Sequence, residues 1–132
     1  MSESQRYKME AGERVRIANK ALGARLRTEG YEIDYSPDED YLRVIFGVPN
    51  ISETLSAIDG EMYVVFLIDP DSNLLNGVEV PNFIKTYRSS KRVKEFWKLT
   101  AELIESHGPT IYVPPEAETE RAGQAVGDLI LV

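Results

Sequence analysis

Cysteine is absent, and histidine occurs once, at His107. The first absence excludes disulfides, thiolate nucleophiles and cysteine-based metal sites. A lone imidazole means that any histidine-centred metal site would need carboxylates for its remaining ligands. No apolar run approaches the roughly 18 residues of a membrane span. The start, MSESQRYKME, lacks the apolar stretch of a signal peptide. A cytoplasmic, membrane-free protein is therefore expected. Glycine is present without a phosphate-loop pattern: Gly123 to Gly127 has neither the spacing nor a preceding buried strand. A G-x-S-x-G nucleophile elbow is missing as well. No catalytic residues and no cofactor are indicated.

What the chain does have is enough apolar material for a core. Its 132 residues are 42% hydrophobic and 28% charged, which excludes a mostly disordered chain and fits one domain. The net charge of −7 is unevenly spread. Residues 30–83 hold Arg43 as their single base against eleven acids, whereas 1–29 and 84–108 each carry a net +3. Such segregation lets the flanks lie against the middle, within one molecule or across a dimer. It argues against a duplex-binding surface, which concentrates a stronger basic patch.

Hydrophobic periodicity divides the single domain, 1–132, into four parts. Over 1–30, Ala11, Val15, Ala18, Leu22 and Leu26 fall on one helical face, and Gly30 stands where a C-terminal cap belongs. Over 31–83 the period changes to two. Tyr31, Ile33 and Tyr35 alternate with acids, and Leu42, Val44 and Phe46 repeat the pattern after a turn at Ser36–Asp40. A weaker strand at Ser52–Ile58 leads into Asp59-Gly60, a strong hairpin signal. Met62–Ile68 is apolar throughout and reads as a central strand covered on both faces. Leu74–Val80 follows, with Gly77 marking a bulge or a close approach. Over 84–108, Val93, Phe96, Trp97, Thr100, Leu103 and Ile104 define a second helix, capped by Ser89 or Ser90 and ended by Gly108-Pro109. In the extension 109–132, Thr110–Val113 can form a short strand, Pro115 can open a last helix, and Leu129–Val132 is an apolar tail. The expected fold is α+β: an antiparallel meander of four to five strands with an N-terminal and a C-terminal helix packed on it.

Three groups of residues invite chemistry. Asp34, Asp38 and Asp40, beside Glu39, crowd carboxylates that could hold a divalent cation, although an exposed turn explains them too. Asp69-x-Asp71-x-Asn73 begins like a calcium loop, but Leu74 replaces the sharp-turn Gly and Val80 the bidentate Glu, so a hairpin turn suffices. Arg88, Lys91, Arg92, Lys94 and Lys98 lie among aromatics, as in single-strand nucleic-acid binders. Phe96 and Trp97, however, belong to the apolar helical face.

The segment Tyr35-Ser-Pro-Asp-Glu-Asp-Tyr-Leu-Arg-Val-Ile-Phe46, the Ser52-Glu-Thr strand, Asp59-Gly60, and Asp69 with Leu74–Val80 together resemble domain-of-unknown-function family 2283. The resemblance covers residues 31–83. It departs at Ser72-Asn73, where the family turn carries Gly, and it does not include the flanking helices. It implies a small β-sheet core, small dimeric folding and nothing catalytic.

The expected function is a non-enzymatic interaction or regulatory module acting as a homodimer, with a protein partner. Two alternatives stay open. One is a nucleic-acid-binding regulator using the Arg14–Arg27 and Arg88–Lys98 faces; the other is a metal-dependent enzyme using the acidic turn.

Overall fold

The computed structural model describes residues 2–47, 53–91 and 93–128. Arg92, the Leu129–Val132 tail and most of the Gly47–Asn50 break lie outside them. Helix α1 spans Glu3–Ala18 and opens with a capping box: Gln5 N–H donates to Ser2 Oγ at 3.2 Å, and Ser2 N–H donates to Gln5 Oε1 at 2.9 Å. The single helix expected over 1–30 is two, because α2 restarts at Leu22 and runs to Glu29. Asn19 is the cause. Its amide Nδ2 donates to Val15 O at 2.7 Å and Asn73 O at 2.9 Å, while Leu75 N–H donates to its Oδ1 at 2.8 Å. A buried Asn that bonds the last turn of α1 and a distant turn at once competes with the helix and anchors its end there.

Six strands follow among the described residues: β1 Tyr31–Ser36, β2 Tyr41–Ile45, β3 Glu53–Asp59, β4 Met62–Ile68, β5 Leu75–Pro81 and β6 Thr110–Val113. The α+β class is as expected, with one strand more than the upper figure because Thr110–Val113 pairs with β1. The order β3-β4-β5-β2-β1-β6 is antiparallel throughout but is not a simple meander, since β5 lies between β2 and β4. Gly77 makes that placement work. A Cβ there would sit 2.5 Å from Val44 O, so the close approach is real, and the bulge is adjacent: Leu67 and Ile68 of β4 face Gly77 and Leu75, so the extra residue is Asn76 on β5. Asp59 pairs with Met62 across a Gly60-Glu61 turn in which Gly60 takes φ +65°.

The helical segment 84–108 is also divided. Helix α3 spans Phe83–Ser89 and α4 spans Glu95–His107, so Ser89 ends one helix and Lys94 is the N-cap of the next. Helix α5, Ala117–Asp128, packs alongside α2. Inward residues of the sheet, including Ile33, Leu42, Val44, Phe66, Val78 and Val80, join Leu22, Leu26, Phe83, Phe96, Trp97 and Val126 of the helices in one core. On the opposite sheet face Leu67 is buried, at 4%, but its neighbours toward the hairpin are not. Consequently β4 is not covered on both faces along its length: Tyr63 is 47% exposed and Val65 half-buried.

Candidate functional site

The three turn aspartates part company. Asp34 points from β1 into solvent opposite Arg43, and Asp38 is exposed in the turn. Asp40 is committed to structure. Its Oδ1 accepts from Tyr35 Oη and from Ile84 N–H at 2.9 Å, and its Oδ2 accepts from Lys85 N–H at 3.0 Å. It therefore caps α3 from the β1–β2 turn beside it, which the N-cap residue Asn82 does not do. Burial pushes the Asp40 carboxyl up, but the hydrogen bonds from Tyr35, Lys85 and Ile84 and the charge of Arg88 bring it below its ordinary value. No group of three His, Asp or Glu side chains among the described residues is placed to hold a metal.

The sign of that shift fixes a prediction. A carboxyl whose pKa is lower folded than unfolded stabilises fully above about pH 4 and loses its contribution as pH falls through the folded value. Asp40→Asn keeps a side chain suited to φ +51°. It is expected to cost about 1 kcal/mol at pH 7 and much less at pH 3. Urea unfolding at both pH values measures it, and an equal cost at the two would refute the assignment.

The basic stretch is broken up as well. Arg88 and Lys91 are exposed. Lys94 Nζ lies 3.4 Å from Asp59 Oδ1, and Lys98 stands among Glu95, Glu102 and Arg121 in a shallow groove between α4 and α5. Phe96 and Trp97 are core residues. In the N-terminal helices, Arg25 turns inward and donates to Phe46 O and Leu75 O, while Arg27 pairs with Glu120 at 3.2 Å. Neither belongs to a free basic face.

The open face of the sheet gathers residues that the sequence left unmarked. Ile58 on β3 and Tyr63 on β4 are directly opposite each other, 59% and 47% exposed. Val65 comes next on β4 and faces Glu79 on β5. Glu79 accepts a hydrogen bond from Tyr41 Oη and lies 3.3 Å from Arg43 Nη2. Burial holds its carboxyl above the usual range. Glu32 and Asp34 continue this surface along β1, so apolar side chains and both signs of charge share one face. The unbroken apolar run at Met62–Ile68 had hidden which of its residues point outward.

The class is thus a two-layer α+β protein with helices on one side of an antiparallel sheet and, among the described residues, the other side uncovered at its Ile58–Tyr63 end. No family model, curated protein or solved structure matches the chain. Among the described residues, no helix is long and apolar enough to cross a membrane.

Proposed function

We propose that the protein is a non-enzymatic interaction or regulatory module that works as a homodimer, its protomers joined through the open end of the β3–β4 face. The observation that carries the reading is the exposed cross-strand pair Ile58–Tyr63 beside half-buried Val65. Two large apolar side chains meeting in water are stabilised by removal from it. A second copy is the occupant the surface suits. Arg43 beside Glu32 and Asp34 gives one face both charges, so a two-fold axis can set unlike charges opposite each other. The non-enzymatic part of the reading is supported by the commitment of Asp40 to capping and by the separation of Asp34 from it. The resemblance of residues 31–83 to domain-of-unknown-function family 2283 accords with a small dimeric sheet and adds no site residue.

Light scattering across a concentration series tests the proposal. At about 50 µM the mass should be twice the 14.9 kDa of one chain. The double substitution Ile58→Lys, Tyr63→Lys should return it to one chain without altering the circular dichroism spectrum. A wild-type mass of one chain at that concentration, or a dimer that survives the double substitution, would overturn it.

A further inference from the structure

On the helical side, away from the open sheet face, a groove of about 520 Å³ lies between the second half of α4, β6 and the start of α5. Its size is that of a small-molecule site. Leu99 and Leu103 of α4 and Ile111 of β6 form apolar walls and are each only partly buried. Glu116 stands exposed at one rim, fixed where α5 begins because its N–H donates to Thr119 Oγ1 at 3.1 Å. His107 is exposed where α4 ends.

Tyr31 lines the groove from β1 and is 2% exposed, its ring edge-on to Phe46 at 6.1 Å. Its buried hydroxyl has no hydrogen-bond partner among the described residues. Such a group is costly, and a folded chain keeps it satisfied unless something else satisfies it. Phenylalanine would fill the same space without that penalty. Burial, then the charge of Glu116, pushes the Tyr31 hydroxyl up to about 12, so it stays protonated and neutral. The groove contains a carboxylate and no Lys or Arg, which disfavours an anion.

We infer that this groove binds a small organic amine, its apolar body between α4 and β6 and its ammonium hydrogen-bonded to the Tyr31 hydroxyl and paired with Glu116. The hydroxyl oxygen supplies an acceptor, and the carboxylate supplies the charge. The site is independent of the dimer surface and needs no reaction.

The test uses phenethylamine as probe, with 2-phenylethanol and phenylacetate as its neutral and anionic counterparts. Binding is followed by amide NMR shifts across residues 99–119 of the full chain. A probe this small should bind wild type with a dissociation constant of about millimolar. Tyr31→Phe and Glu116→Gln should each weaken it about fivefold or more, and phenylacetate should not bind. Without ligand, Tyr31→Phe should melt at or above the wild-type temperature, because the orphan hydroxyl is gone. Four results would overturn the inference. They are no saturable shifts up to about ten times the expected constant, equal binding of the alcohol or the acid, binding unchanged in both variants, or a lower melting temperature for Tyr31→Phe.

Discussion

Trp97→Ala is expected to lower the unfolding free energy by about 3–5 kcal/mol, a large share of the roughly 5–15 kcal/mol that holds a domain of this size. Trp97 is 1% exposed on α4 and meets Phe96 and Phe83 edge-on, with ring centroids at 4.7 and 6.2 Å. Its Nε1–H donates to Asp59 Oδ2 at 2.7 Å, and Lys94 of the helix N-cap reaches the other oxygen of the same carboxylate. Asp59 is the last residue of β3 before the hairpin. One side chain therefore fills the core and ties α4 to the β3–β4 turn. Truncation leaves a cavity and removes the principal partner of a half-buried carboxylate. Trp97→Phe separates these effects. It keeps most of the ring and loses the donor, so about 1–3 kcal/mol is expected. Urea unfolding followed by circular dichroism gives both numbers. A cost for Trp97→Ala below about 1 kcal/mol would mean that the ring is not the centre of this core.

The β-elements were legible because one face of each is buried and the other wet. Tyr31/Ile33 and Leu42/Val44/Phe46 alternate in the sequence and are the residues that enter the core. Where that contrast fails, so does the reading. Met62–Ile68 carries no polar residue, so its pattern could not say that Tyr63 and Val65 face outward, and the candidate interface stayed invisible. The break between α1 and α2 was hidden differently. Apolar spacing runs unbroken from Val15 through Leu22, and the residue that ends the helix does so through Asn73 and Leu75, remote in sequence. Asp40 shows the same limit for the acidic turn. Its turn role was readable from Pro37 and its neighbours, but its cap is on backbone amides of Ile84 and Lys85. Nothing local marks Tyr31 either. An alternating strand tyrosine usually finds a partner, and only the packed structure shows that this hydroxyl has none among the described residues.

Gly23→Ala puts two physical arguments in direct opposition. Helix propensity alone says that replacing a helical glycine by alanine stabilises, by at most about 1 kcal/mol at a first-turn position such as Gly23. Gly23, however, lies where α2 touches α5. A Cβ at Gly23 would stand 2.5 Å from Glu120 O and 2.8 Å from Gln124 Cγ, and one at Gly123 only 2.8 Å from Gly23 Cα. The first obstacle is backbone, which cannot swing aside as a side chain can, so the helices must separate. Overpacking of this kind costs about 1–3 kcal/mol and exceeds the propensity gain. A net loss of about 1–2 kcal/mol is therefore expected for Gly23→Ala, with a comparable loss for Gly123→Ala. The double substitution should cost less than the sum, since helices already forced apart by one methyl group have room for the other. Urea unfolding of the two single variants and the double variant measures all three; a stabilised Gly23→Ala would show that α2 and α5 do not meet as described. The same contact reaches the groove. Thr119, whose hydroxyl accepts from Glu116 N–H and donates to Glu116 O, is buried against α2 with its Oγ1 3.3 Å from Leu26 O, so parting the helices should loosen Glu116 and weaken amine binding along with stability.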